Sequence, residues 1–143
     1  MQDGKTEVEV ILNSSLPFAE EMLSRYGEFY PCGRAMKSDG DLVAVEVFDD
    51  QERLPSDEII NRIVQVFRQQ AAKGENRATA IIYDVKIIPP GQTSKTDAVA
   101  AELEHRDGYA VTVFYPYHLG EGGPELGPPF ATAARRGIFD ELW

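Results

Sequence analysis

The chain has 143 residues, of which 43% are hydrophobic and 27% are charged, a composition typical of one soluble globular domain. Acidic residues outnumber basic ones by 24 to 14, and the resulting net charge of -10 opposes binding to nucleic acid, which requires neutralisation of phosphates. With a single cysteine, no signal-peptide pattern and no apolar run of about 20 residues, the sequence predicts a cytoplasmic protein that neither forms an internal disulfide nor binds a membrane.

The first predicted element is a helix, although the chain start has the character of both a helix and a strand. Its first residues alternate as a strand does, whereas apolar residues at helical spacing continue up to Gly27, a typical residue after a helix end. Proline disrupts a helix interior, so Pro17 either kinks a long helix or starts a new one capped by Ser14 or Ser15. Residues 16–26 are helical under both alternatives.

Two strands are predicted next, over residues 29–36 and 42–48. Asp39 and Gly40 between them favour a tight hairpin with a type I′ turn, in which both central residues need a positive φ. Both faces of the second strand carry apolar side chains, so we expect both faces to be partly covered.

The clearest helix follows a polar loop. Ser56 occupies its predicted N-cap, and Asp57 and Glu58 lie in the first turn, where the helix dipole favours negative charge. One apolar stripe then continues to a point just before Gly74. The stripe, whose main members we expect to pack on a sheet, consists of Ile59, Ile60, Ile63, Val64, Phe67 and Ala71.

Three more strands are predicted, over residues 77–88, 96–105 and 109–117. A loop rich in proline and glycine separates the first two, and Asp107 and Gly108 between the last two give a second hairpin signal. We therefore expect a three-stranded meander.

The C-terminal part is predicted to contain little regular structure. Glycine and proline are frequent in residues 118–129, so we expect an irregular segment there. Residues 130–142 carry apolar side chains at near-helical spacing and are compatible with a last short helix, which Gly137 weakens.

The predicted order is α-β-β-α-β-β-β within a single α+β domain over residues 1–143, with a mostly antiparallel sheet of about five strands covered by two helices. This order resembles that of the roadblock and profilin-like group of small α+β domains, in which flanking helices cover a five-stranded sheet. No motif of the group is present, so the resemblance implies a fold and no functional residues. Size, acidity and the α+β pattern also resemble small acidic bacterial proteins of the immunity type, which bind and neutralise toxins.

Cys32 and His105 are the first candidates for chemistry, because a thiolate activated by a base is the minimum equipment for nucleophilic catalysis. The sequence indicates no residue that would orient the histidine, and free cysteines are usually buried, so catalysis by this pair is not favoured. Glu102 and Glu104 offer metal ligands beside His105, but on a strand they face away from it. Neither a metal nor another cofactor is predicted.

Tyr30, Tyr115 and Tyr117 lie beside prolines in two predicted strands. Neighbouring strands would present the three tyrosines on one exposed surface of the kind that binding sites favour, and ordinary core and edge packing is the alternative.

We therefore expect a non-enzymatic interaction domain that binds a protein partner, or a second copy of itself as a homodimer, through a sheet edge or a helix face. One alternative is an immunity-type protein that binds a basic toxin. The other is a small-ligand binding protein or an unusual hydrolase with a pocket between helix and sheet.

Overall fold

The computed structural model describes residues 3–46, 54–134 and 137–139. It confirms an α+β architecture with a mostly antiparallel sheet and flanking helices. Neither of the helices found in these ranges has the length and apolar character needed to cross a membrane. The elements in chain order are α1 (Gly4–Tyr26), β1 (Cys32–Lys37), β2 (Leu42–Val45), α2 (Ser56–Ala72), β3 (Asn76–Ile87), β4 (Thr96–His105), β5 (Ala110–Gly120), β6 (Gly123–Leu126) and β7 (Phe130–Ala133).

Both ends of α1 are capped. The side chain of Asp3 accepts a hydrogen bond from the backbone N–H of Thr6 at 2.8 Å, which satisfies one of the free donors at the helix start. At the other end Gly27 adopts φ 72° and donates its N–H to the carbonyl of Leu23 at 2.9 Å. The predicted helix is therefore confirmed, and it begins at Gly4 rather than midway.

Pro17 lies inside α1 and does not start a new helix. The hydroxyl groups of Ser14 and Ser15 donate to the carbonyl of Ile11 at 2.8 and 2.7 Å, so both serines bond backwards along the same helix instead of capping a second one. Of the two alternatives drawn from the sequence, the long helix with an internal proline is the right one.

The start of α2 differs from the prediction by one residue. Pro55, not Ser56, occupies the N-cap, because the Pro55 carbonyl accepts the first helical bonds, from the N–H groups of Glu58 and Ile59 at 3.0 and 3.1 Å. Pro55 makes no side-chain cap bond. The predicted stripe does pack on the sheet, with Ile59, Ile63, Phe67 and Ala71 buried and Ile60 and Val64 partly buried.

Over the described residues the sheet has seven strands, two more than expected, in the order β2-β1-β3-β4-β5-β6, with β7 also paired to β5. Residues 118–129 are not irregular throughout, because β5 continues to Gly120 and β6 pairs back onto it around Gly123 at φ 112°. The predicted C-terminal helix is also wrong at its start, where residues 130–133 form β7. The free edge of β5 supplies the hydrogen bonds that order these short segments.

Both predicted hairpins form, but the first does not have the predicted type I′ turn. Gly40 and Gly108 have φ values of 97° and 110°, whereas the preceding Asp39 and Asp107 do not have a positive φ. In the second hairpin the N–H of Gly108 bonds the His105 carbonyl at 3.0 Å, as in a type I turn closed by a glycine bulge. The loops therefore contain one residue more than type I′ turns.

The helices lie on opposite faces of the sheet. The α1 face holds alternate residues of the central strands, among them Cys32, Ile82 and Leu103. The α2 face holds Ala35 and Ile81, together with Ile138 and Phe139 from the C-terminal segment. The edge strand β2 is covered only toward α2, because Leu42 and Ala44 on its other side are exposed. The expectation that both faces of this strand are partly covered is wrong, and the predicted strand residues 47–48 lie outside the described residues.

Candidate functional site

The three tyrosines singled out in the sequence do not form one exposed surface. Tyr30 lies between α1 and β1 and is 52% exposed, whereas Tyr117 on β5 is 5% exposed and donates its hydroxyl to Asp84 Oδ1 at 2.7 Å. Tyr115 is half-buried on β5. The strands β3 and β4 lie between β1 and β5, so the two strands next to these tyrosines are not paired with each other.

Cys32 and His105 do not form a catalytic pair. Cys32 on β1 lies opposite Ile82 of β3, and His105 on β4 lies opposite Ala78 of the same strand. Ile82 and Ala78 are four positions apart, which corresponds to roughly 13 Å along β3. Burial raises the pKa of the Cys32 thiol to about 11, which disfavours the reactive thiolate.

His105 instead belongs to a buried polar cluster at the start of α1. Its Nδ1 accepts the backbone N–H of Asp107 at 3.0 Å, which leaves Nε2 to donate its proton to Glu7 Oε1 at 2.7 Å. The second oxygen of Glu7 accepts from Arg77 Nη1 at 2.8 Å, and the Asp107 carboxylate accepts the N–H of Gly4 at 3.0 Å. The cluster joins α1 to two strands and a hairpin.

The charges in this cluster favour structure rather than catalysis. Burial opposes ionisation of Glu7, but hydrogen bonds from His105 and Arg77 outweigh burial and hold the pKa of Glu7 below its ordinary value. Within the described part of the chain, no hydroxyl or thiol nucleophile is hydrogen-bonded to His105. We therefore interpret the cluster as a structural contact between α1 and the sheet.

Glu102 and Glu104 lie on the opposite side of β4 from His105, as the strand alternation predicts. The Glu104 carboxylate accepts the backbone N–H groups of Ile138 and Phe139, so it anchors the C-terminal segment on the α2 face. Burial raises the pKa of Glu102, while the adjacent Tyr83 hydroxyl partly offsets this. These residues do not converge on one point where a metal ion could sit.

A groove of about 420 Å³ lies between α1 and β5, on the α1 face. The side of α1 contributes Lys5, Val8, Glu9, Leu12 and Asn13. The floor consists of Leu103, the alternating row Tyr109, Val111, Val113 and Tyr115, and Ala131 on β7. We call this set of residues the α1–β5 groove.

The groove is open because α1 covers only part of its sheet face. α1 packs on β1, β3, β4 and β6, so the row on β5 stays half-buried. Ala131 lies on β7 opposite Val113 of β5. Its side chain is exposed and too small to cover the row on β5. Burial, together with the nearby Glu9 carboxylate, raises the pKa of Tyr115, so this hydroxyl stays neutral at neutral pH.

Comparisons with protein-family models, with curated proteins and with solved structures give no significant match to this chain. The resemblance of its element order to roadblock and profilin-like domains therefore stays a prediction.

Proposed function

We propose that the protein is a non-enzymatic interaction domain that takes an apolar helix of a protein partner into the α1–β5 groove. The observation that carries this proposal is the half-buried row on β5, which continues the apolar face that α1 covers on the neighbouring strands. Contiguous apolar surface of this kind is typical of protein interaction sites.

The shape of the groove favours a helix as its occupant. The row from Tyr109 to Tyr115 extends for roughly 20 Å, which equals about 13 residues of α-helix. The groove runs beside α1, and a second helix would pack both on the sheet and on α1, as in helix-in-groove recognition. Tyr109 and Tyr115 at its two ends offer hydroxyl groups to a partner.

A second copy of the chain is the first occupant to test. The net charge of -10 opposes self-association at low salt, so a homodimer would need its carboxylates at the rim of the interface. The groove itself carries only Lys5 and Glu9 as charged side chains. A homodimer is therefore expected to strengthen as salt screens the repulsion.

Light scattering across protein and salt concentrations tests self-association directly. The test compares Ala131→Glu, which places a carboxylate in the groove, with Thr132→Glu, which adds the same charge to the opposite face of β7. Both positions are exposed, so both variants should fold. Loss of association in the first variant only supports the groove, whereas equal effects would contradict it.

If the protein is monomeric at all concentrations, a second copy of the chain does not occupy the groove, and the proposed partner is a different protein. The wild type and the two variants are then used as bait in the native host, with cross-links mapped by mass spectrometry. Cross-links in the groove, together with capture that only Ala131→Glu abolishes, would support the proposal. Capture by all three proteins alike would argue that the contact lies elsewhere.

A second candidate function is binding of an apolar small molecule in the same groove. Its volume of about 420 Å³ lies within the range of small-molecule sites. A hydrophobic fluorescent dye distinguishes the two uses, since a small-molecule site binds it with one-to-one stoichiometry while the protein stays monomeric.

A further inference from the structure

The two sides of the α1–β5 groove differ in polarity. On the α1 side, Lys5, Glu9 and Asn13 line the groove at intervals of four residues, so they form one polar row along the helix. On the β7 side the lining residue is Ala131, which has no polar side-chain group. Among the residues that line the groove, charged groups therefore face an occupant from the α1 side only.

Both charges of the polar row are accessible to a partner. Over the described residues, neither Lys5 nor Glu9 forms an ion pair or a side-chain hydrogen bond, and both are exposed. Two other carboxylates lie at the start of α1, those of Asp3 and Asp107. They accept backbone N–H groups of the first helical turn at 2.8 and 3.0 Å instead of pairing with Lys5. The row thus offers one ammonium group and one carboxylate.

The groove fixes the line along which an occupant lies. At the start of α1, the N–H of Gly4 bonds the carboxylate of Asp107, just before β5. At the end of α1, a Cβ on Gly27 would lie 3.7 Å from Leu119 Cδ1, near the end of β5. α1 and β5 therefore run side by side in the same direction. A helix between them lies along α1, and its residues four positions apart match the spacing of the polar row.

A different protein is a better source of this helix than a second copy of the chain. The apolar residues of α1 and α2 pack in the two buried clusters, one on each face of the sheet. For either of these helices to enter the groove of another copy, its own core would have to open. The partner helix is therefore assigned to another protein.

We propose that Lys5 and Glu9 select a partner helix whose α1-facing flank carries one acidic and one basic residue four positions apart. The acidic residue pairs with the Lys5 ammonium and the basic residue with the Glu9 carboxylate, while the apolar stripe of the helix covers the row on β5. The net charge of -10 attracts basic partners in general, but a uniformly basic flank would bring a like charge to Lys5. This inference rests on the proposed groove and names the chemistry of the partner that the groove takes.

The test uses two synthetic helical peptides of identical composition. Both carry an apolar stripe and a neutral second flank, and they differ only in the order of one glutamate and one lysine, four positions apart on the first flank. Because a helix that reverses its direction also exchanges its flanks, only one order can pair both charges with α1. Fluorescence anisotropy with the full chain should give dissociation constants that differ by about threefold at low salt. The difference should shrink as salt screens the charges.

A charge-exchanged variant provides the decisive comparison. Lys5→Glu with Glu9→Lys exchanges the two charges of the row and leaves the net charge unchanged. Both side chains are exposed, and an acidic residue in the first helical turn is favourable, so this variant should fold. Its preference between the two peptides should be the reverse of that of the wild type. The matched control, Glu21→Lys with Arg25→Glu, exchanges an exposed ion pair outside the groove lining and should keep the wild-type preference.

The outcomes separate the chemistry of the partner from the groove itself. Reversal in the groove variant alone, with NMR shifts at residues 109–115, would support the selection by Lys5 and Glu9. Equal affinities of the two peptides, or the same preference in the wild type and the groove variant, would overturn this selection, while shifts at 109–115 would still support the groove. If neither peptide binds, the groove fails as a helix site and the selection fails with it.

Discussion

The two faces of the sheet are closed to different degrees. On the α2 face, Phe67 is fully buried and Phe139 from the C-terminal segment is fully buried in the same cluster. On the α1 face, a core of similar kind lies under the helix, but the row on β5 is half-buried beside a groove of about 420 Å³. The α1 face therefore keeps a half-buried apolar row beside the groove, and it is there that we propose a partner binds.

The strand β5 shows this contrast within a single element. On the α2 side, the ring of Phe114 on β5 stacks on the ring of Phe130 on β7, with ring centroids 5.2 Å apart. On the α1 side, Val113 is opposite the small and exposed Ala131. The two faces of this pair of strands therefore differ in that an aromatic ring contacts β5 on the α2 side, whereas only an alanine lies opposite it on the α1 side.

The largest expected effect comes from the closed face. Phe67→Ala removes a fully buried ring and should lower the free energy of unfolding by about 3 to 5 kcal/mol. Val64→Ala, on the same helix but only partly buried, is the matched control and should cost much less. Urea denaturation measures both. An unchanged midpoint for Phe67→Ala would show that the α2 face is not closed.

Close approach of α2 to β1 gives the second prediction. A Cβ on Gly33 would lie 2.7 Å from Phe67 Cζ and 2.8 Å from Ile63 Cγ2. Gly33→Ala should therefore destabilise the fold by about 1 to 3 kcal/mol through overpacking. At Gly122 no neighbouring atom lies within 4 Å, so Gly122→Ala should be nearly neutral. Similar thermal midpoints for the two variants would argue against tight packing on this face.

The buried polar cluster of Glu7 and His105 at the start of α1 gives a pH-dependent prediction. The folded-state pKa of Glu7 lies below its ordinary value of 4.5, so its ionised form stabilises the fold fully above that value and loses this contribution as pH falls through the folded pKa. Glu7→Gln should cost about 1 to 3 kcal/mol at neutral pH, because a charge-assisted acceptor is lost.

The difference between wild type and Glu7→Gln should then narrow as the solution is acidified below the ordinary glutamate pKa. Denaturant melts at a series of acidic pH values measure the difference. Glu9→Gln, an exposed neighbour on α1, is the control and should show little dependence. A gap that stays constant with pH would mean that the ionised form of Glu7 contributes nothing special to folding.

Elements that depend on local patterns could be predicted from the sequence. The limits of β4, residues 96–105, agree with the structure, and the stripe of α2 is confirmed, because strand alternation and helical spacing are local properties. Turn glycines at Gly40 and Gly108 likewise indicate both hairpins. The type I′ turn predicted at Gly40 is wrong, because Asp39 before it does not have a positive φ.

Features that depend on distant contacts could not be predicted. β6 and β7 contain glycine or lie after prolines, and only the edge of β5 makes them strands. Glu7 and His105 are 98 residues apart, and nothing in the sequence links a helix carboxylate to that histidine. Residues 109–117 are predicted as a strand, but the partial exposure of one side of β5 follows from where α1 lies on the sheet.

The smallest expected effect tests whether the α1 face is open. Ala131→Glu and Thr132→Glu should each change the free energy of unfolding by no more than about 0.5 kcal/mol, because both side chains are exposed. A covered groove would bury the new carboxylate at Ala131 and would cost at least about 2 kcal/mol more than the change at Thr132. Denaturation of the two variants side by side measures this difference. Equal stability, together with different association, would assign the open face to binding rather than to folding.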